Sequence, residues 1–348
     1  MNIKEEFKNI IDDCCLRGIF PGANLCVIRG EDEFFISSGY KSIIPQEEKN
    51  QIDTIYDIAS LTKVVVTTTL IMQLIDKKYI SLDTRVFEIL PEFKEKDITI
   101  LDLLTHTSGL PADIKLDLNV NKEIITKKIF ECEKSYEKNT KVIYSDLGFI
   151  ILGLIIERIL KIDLDKAAIK NIFNPLGMKD TGYCPKSEIV KRIAPTEISP
   201  HFNKLLRGQA HDRKAYLMNG VSGHAGVFST INDLSKFARM ILHNGELDGN
   251  KILGEESVDK LFLKATPDGQ INRGLGYLVY DERGDFSKYN SIKTIYHTGF
   301  TGTSMLIDKE KELVIILLSN RVHPTRSNIR IIEERRKIHE RIMELCCC

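Results

Sequence analysis

A chain of 348 residues can hold one large domain or two. Its 43% hydrophobic and 28% charged residues suit a protein that buries a sizeable core. Lysine plus arginine equals aspartate plus glutamate, 49 of each, so no net field draws the whole molecule to nucleic acid or to an anionic membrane surface. The apolar runs at 64–75 and 147–156 carry polar residues or are too short to span a bilayer. Residues 1–7 are charged and unlike an export signal, so a cytoplasmic address is expected.

In chain order, residues 3–17 read as a helix with Phe7, Ile10, Ile11 and Leu16 along one side. Strands follow at 23–28 and 34–40, joined by the turn Arg29-Gly30-Glu31-Asp32. A helix from about 60 to 77 begins with Val64-Val65-Val66-Thr67-Thr68-Thr69, which is too apolar all round for a surface. A short helix at 101–104 is stopped by Gly109 and Pro111. Residues 121–134 form a charged amphipathic helix and 147–160 a strongly apolar one. Another spans 232–243, with N-cap candidates at Ser229, Thr230, Asn232 and Asp233.

Three late segments, 275–280, 303–308 and 312–319, read as strands, as does the stretch around His297. The last two are joined by a hairpin turn at 308–311. A closing helix at 327–345 lines up Ile331, Ile338, Ile342 and Leu345. Strands at both ends around a helical middle predict an α+β fold, an antiparallel sheet completed by distant parts of the chain. One unit, 1–348, is expected, with an α/β part at about 1–65 and 216–348 and a helical part at about 66–215.

Chemistry concentrates at Ser60-Leu61-Thr62-Lys63. Residues three apart share a helix face, so Lys63 reaches back to Ser60 in a first turn whose free N–H groups favour developing negative charge. A hydroxyl beside an amine is a nucleophile activated without histidine. Two further motifs point to the same chemistry: Tyr144-Ser145-Asp146 at a helix entrance, and His297-Thr298-Gly299 on a strand.

The eight cysteines form no C-x-x-C pattern and are expected to be free thiols. His211-Asp212 lacks a third ligand at useful spacing, so neither metal nor cofactor is expected.

Ser-x-x-Lys, a Tyr-x-Asn-like triplet and a Lys-Thr-Gly-like triplet, in that order, are the signature of penicillin-binding proteins and serine β-lactamases. The chain resembles the class C β-lactamase-related serine hydrolases, which include D,D-carboxypeptidases, D-amino-acid peptidases and esterases. The likeness extends to Leu104-Thr105-His106-Thr107-Ser108-Gly109-Leu110-Pro111, His224-Ala225-Gly226-Val227-Phe228-Ser229-Thr230 and Ser319-Asn320-Arg321-Val322-His323-Pro324. It implies the β-lactamase/transpeptidase-like fold, with terminal helices flanking the sheet and an all-helical region beside it.

The resemblance further implies that Ser60 is acylated, Lys63 shuttles protons beside it, and Tyr144 shares proton transfer. His297 stands where lysine is commoner, and the N–H groups of Ser60 and Phe300 form an oxyanion hole. Thr298, Gly299 and Phe300 line the substrate, and Asp146 faces it. His224 either contacts substrate or shapes a loop. Arg326, with Asn320 and Arg321 near it, is a candidate holder of a substrate carboxylate. His106 is expected to pin a loop.

Lys63 and Tyr144 are expected to have proton affinities depressed by burial and by each other. Two departures from the family pattern stand out. An ionised Asp146, in place of asparagine, raises the lysine pKa and cannot donate to a substrate carbonyl. A partly charged His297 makes carboxylate attraction pH-dependent. Both weaken the case for efficient β-lactam hydrolysis. The expected activity is acyl transfer to water from a small ester or amide, or a D-amino-acid peptide, by a monomer or weak homo-oligomer. The alternatives are a penicillin-binding acylated sensor and a D,D-carboxypeptidase with little β-lactam turnover.

Overall fold

The computed structural model describes residues 2–116, 120–284 and 286–347. Its centre is a seven-stranded antiparallel sheet built from both ends of the chain. The spatial order is Leu278–Val279, Thr294–Thr298, Ser304–Asp308, Leu313–Ser319, Gly22–Arg29, Asp32–Ser42 and Glu48–Lys49. The amino-terminal hairpin joins the carboxy-terminal strands through Gly22–Arg29 against Leu313–Ser319, with Leu25 opposite Leu317 and Val27 opposite Ile315.

The run 313–318 is continuously apolar because both sheet faces are covered. Leu313, Ile315 and Leu317 pack with Phe7, Ile11, Ile338 and Ile342 from the terminal helices Ile3–Leu16 and Ile331–Cys347. Val314, Ile316 and Leu318 face the opposite core, which holds Val64, Val65, Phe149 and Ile151.

Several boundaries differ from expectation for local reasons. The final helix begins at Ile331, not 327. The residues before it are tied down instead, with Asn328 Nδ2 donating to the carbonyls of Gly18 and Ile19. The helix expected over 121–134 ends at Phe130, whose carbonyl accepts from Lys94 N–H. Only Leu278–Val279 of the segment 275–280 is strand, because Gly274 N–H turns back to the carbonyl of Tyr277.

The regular structure of region 66–215 is mostly helix, but fewer than half of its residues are helical. It contains the strand pieces Gly182–Tyr183, Ile198–Ser199 and Lys204–Leu205. Gly182–Tyr183 pairs with Val227–Ser229, which in turn pairs with Tyr56–Asp57 just before Ser60. That small sheet anchors the approach to Ser60. The helix after Ser60 opens as a wide π turn, Lys63–Thr68, and tightens to α over Thr69–Asp76. The six β-branched residues from Val64 to Thr69 crowd a regular first turn, and such π turns are frequent at functional sites. No helix among the described residues is long and apolar enough to cross a membrane.

Candidate active site

Ser60 follows Ala59, which is held at φ 48° in the left-handed region, a conformation that costs an alanine roughly 1–3 kcal/mol. Four hydrogen bonds over-determine this bend. Ala59 N–H donates to Asp57 Oδ1 at 2.8 Å, and Ile58 N–H donates to the Val227 carbonyl at 3.0 Å. The carbonyls of Asp57 and Ile58 accept from Thr301 Oγ1 at 2.7 Å and Thr303 Oγ1 at 3.1 Å. The last two bonds lock the segment before the serine to the turn that follows His297-Thr298-Gly299. A Cβ on Gly299 would meet the Ile58 carbonyl oxygen at 2.6 Å, so only glycine allows this approach.

Lys63 is 0% exposed. Its Nζ donates to Ser60 Oγ at 3.1 Å, to Asp146 Oδ1 at 2.8 Å and to the His224 carbonyl at 3.1 Å. Burial works to lower its proton affinity, but Asp146 and Tyr144 outweigh burial and the pKa is raised. The expected depression therefore does not occur, because a carboxylate stands where an amide was the family norm. Asp146 stays ionised. Burial pushes its carboxyl up, yet Lys63, His224 and Lys214 together bring it down to about 2.

A chain of charges extends from there. Asp146 Oδ2 lies 3.2 Å from Lys214 Nζ, which also reaches Asp113 at 3.0 Å. His224 Nε2 and Asp212 Oδ1 are 2.7 Å apart, and His224 Nδ1 meets Ser222 Oγ at 2.8 Å. The His224 imidazole is thus buried and fully engaged, and its neighbour Ala225 lines the cavity.

Tyr144, 37% exposed, lines the same cavity as Ser60, with its ring centroid 4.9 Å from Lys63 Nζ. Beneath it the His106 ring packs at 4.5 Å, and His106 Nδ1 accepts from Ser145 N–H at 3.0 Å. The His297 ring lies 6.1 Å from that of Tyr144. His297 is 3% exposed, and burial, then Lys63 and Arg273, drive its pKa well below the usual histidine value. It is neutral near pH 7, so the expected pH-dependent attraction for a carboxylate does not arise from it.

The cavity has a volume of about 640 Å³ and is also lined by Thr298, Gly299, Phe300 and Arg326. Phe300 stacks on His211 at 5.4 Å and lies under Arg321 at 4.3 Å. Arg326 Nε donates to Glu197 at 2.9 Å, and Glu197 also faces His211 Nε2 at 3.0 Å. Much of the Arg326 charge is therefore already balanced. Sequence reasoning missed Lys214, Asp113 and Arg335, which line the cavity from distant segments with no motif to mark them. Arg335, 9% exposed on the last helix, has a buried Nε with no hydrogen-bond partner.

Asp146, Asp212 and His224 bring one ligand atom each within 4.8 Å of one another, which supplies the neighbours of Asp212 that linear spacing hid. Both oxygens of Asp146 are spent on lysine ammonium groups, however. A dication there would face two like charges, so this donor set does not fit a metal.

Comparison with known proteins gives the family and the fold. The family model described as Beta-lactamase matches residues 7–340. A protein of Salmonella heidelberg (strain SL476), whose name proposes a D-alanyl-D-alanine carboxypeptidase, is 31% identical over 90% of this chain and 81% of its own length. A solved octameric penicillin-binding protein homologue from Pyrococcus abyssi superposes with a TM-score of 0.74 at 21% identity, covering 98% of this chain and 78% of that one. The hydrolase EstCE1, described as having promiscuous acyltransferase activity, gives 0.77 at 17% identity over 97% of this chain and 98% of its own. Simvastatin synthase (LovD) from Aspergillus terreus gives 0.78 at 18% identity over 99% of this chain and 98% of its own. The chain belongs to the beta-lactamase family of serine hydrolases.

Proposed function

We propose that this protein is a serine acyl hydrolase that forms an acyl-enzyme at Ser60 from a small ester or amide. The observation that carries the reading is that Lys63 Nζ donates to Ser60 Oγ and to Asp146 at once, beside Tyr144, on the wall of one cavity. Because the Lys63 ammonium points a proton at Ser60 Oγ, the serine's own proton is free to leave towards Tyr144.

In acylation the phenolate of Tyr144 takes that proton as Oγ bonds to the carbonyl carbon. It then returns the proton to the departing alcohol or amine as the old bond breaks. Water repeats the sequence in reverse, and the proton goes back to Ser60. The N–H groups of Ser60 and Phe300 stabilise the oxyanion, a contribution of about 3 kcal/mol per donor in comparable sites. Lys63 stays charged throughout, favouring the phenolate and holding Oγ in line.

A D-amino-acid peptide with a free carboxylate is the substrate class favoured among amides, because Arg335 presents an unbalanced guanidinium to the cavity. The name carried by the Salmonella relative points the same way. Asp146 accepts but does not donate, which fits poor turnover of β-lactams. A small-molecule reaction in the cytoplasm, by a monomer or weak homo-oligomer without nucleic acid or membrane, is the setting consistent with equal numbers of acidic and basic residues.

The test is a turnover screen of p-nitrophenyl esters, nitrocefin and D-Ala-D-Ala peptides, comparing wild type with Ser60→Ala. Turnover on the order of 10⁶-fold lower in the variant, with Tm nearly unchanged, is expected. Equal turnover by both proteins sinks the reading. A burst of one equivalent without further turnover assigns the acylated sensor instead.

A further inference from the structure

We propose that Arg273 is a positioning residue for the chemistry of Tyr144, its half-buried guanidinium stabilising the phenolate that takes and returns the serine proton. This rests on the hydrolase reading above and adds to it a residue outside the three family motifs.

Arg273 lies in the turn before strand Leu278–Val279 and its backbone is pinned on three sides. Its N–H donates to Thr266 Oγ1, its carbonyl accepts from Ala265 N–H, and it bridges to Leu278. The guanidinium carbon stands 5.4 Å from the centre of the Tyr144 ring. Its Nε and Nη1 are buried and have no hydrogen-bond partner. The carboxylate on the same hairpin, Asp281, is taken by Arg283 at 2.9 Å and by Asn272 N–H at 3.1 Å. A guanidinium with two nitrogens buried and no anion is costly, and such groups are found where they perform a task.

The task is narrowed by what surrounds Tyr144. Lys63 faces it from the serine helix with Asp146 bound to that lysine, His106 from the loop below and His297 from the neighbouring strand. The Lys63 charge is shared with Asp146. His106 accepts a hydrogen bond at Nδ1 from Ser145 N–H, so it is neutral with hydrogen on Nε2. His297 has no hydrogen-bond partner on either ring nitrogen and is uncharged. The motif position that elsewhere holds lysine thus contributes no cation, and Arg273 is the unbalanced positive charge beside the phenol.

Tyr144 lines the 640 Å³ cavity and Arg273 does not, so Arg273 reaches the site through the Tyr144 ring. The coupling is reciprocal. Burial lowers the hold of Arg273 on its proton, and the charge that opposes this is Tyr144.

The experiment compares the full-length protein with Arg273→Met and Arg273→Lys in two ways. The first is the pH dependence of tyrosinate absorbance near 295 nm, each protein referenced to the same protein carrying Tyr144→Phe. The second is the pH profile of Ser60 labelling by a fluorophosphonate. In Arg273→Met, the part of the absorbance signal due to residue 144 and the acid limb of labelling both move to higher pH by about one unit, a tenfold change. Arg273→Lys, which keeps the charge, lies between the two.

Arg273→Met should fold with an undiminished Tm, since it removes unpartnered groups. Should it not fold, Arg273→Lys carries the same comparison. Unmoved curves, or labelling slowed equally at every pH, overturn the proposal. Failure of every substrate to turn over would refute the hydrolase reading alone, because the absorbance comparison needs no substrate.

Discussion

Asp146 Oδ1 accepts a 2.8 Å hydrogen bond from Lys63, so the amine nearest the nucleophile is held as an ammonium ion by a carboxylate two residues beyond Tyr144. Under the proposed hydrolase mechanism the lysine is an electrostatic fixture, and proton transfer falls to the phenol. Asp146 also holds Lys214, which spreads the charge to the far wall of the cavity.

Asp146→Asn tests that division of labour. Without the carboxylate, Lys63 keeps burial as a cause lowering its proton affinity and loses the main cause raising it. It therefore deprotonates at lower pH. The basic limb of the pH profile for Ser60 labelling should move down by about one unit or more. Nitrocefin acylation should rise several-fold as a donor amide is restored. A basic limb that stays in place contradicts the assignment.

Glu197 and Asp146 make the fold acid-sensitive in a defined window. Burial pushes the Glu197 carboxyl up, but His211 and Arg326 bring it down to about 2, as the lysines do for Asp146. A depressed carboxylate contributes stability that is complete above its unfolded-state value and lost as pH falls through the folded one. Urea midpoints should thus fall between about pH 4.5 and pH 2. Glu197→Gln should remove on the order of 2 kcal/mol at pH 7 and flatten this dependence. An equally steep curve for the variant would count against the pairing.

Gly299→Ala adds a methyl group against the Ile58 carbonyl and Thr303 Oγ1. The strand must back away from the serine loop. We expect a loss of about 1–3 kcal/mol in stability and a larger proportional loss in Ser60 labelling. Intact labelling at reduced Tm would show that the strand does not position the acylation site.

Arg335→Ala should separate substrates by charge. A guanidinium–carboxylate bond is worth about 1.5–3 kcal/mol, so KM for D-Ala-D-Ala peptides should rise roughly 10- to 100-fold. Neutral p-nitrophenyl esters should be little affected. Equal effects on both classes would remove the carboxylate from the substrate's description.

The helices from Ile3, Ile100, Asp146 and Ile231 were legible in the chain because their apolar spacing, and in all but the Asp146 helix a capping side chain, is local. Thr99 and Asp102 even form a complete capping box. The strand pieces at Gly182–Tyr183 and Ile198–Ser199 were not legible, since two-residue strands have no period. The same holds for Arg335 and Lys214. Each is one cation among 49, and nothing in linear order shows that it lacks or shares a counter-ion.

By itself the sequence marked a serine, a lysine, a tyrosine and a Thr-Gly strand as candidates for one acyl-transfer site, because each motif is short and marked by its own neighbours. Tertiary structure alone decided the protonation states within it. His297 is neutral because it is buried beside Lys63 and Arg273, and Lys63 is charged because Asp146 meets it from a helix 83 residues away. Proton affinity depends on desolvation and on charges within a few ångströms, and those distances exist only once the chain has folded.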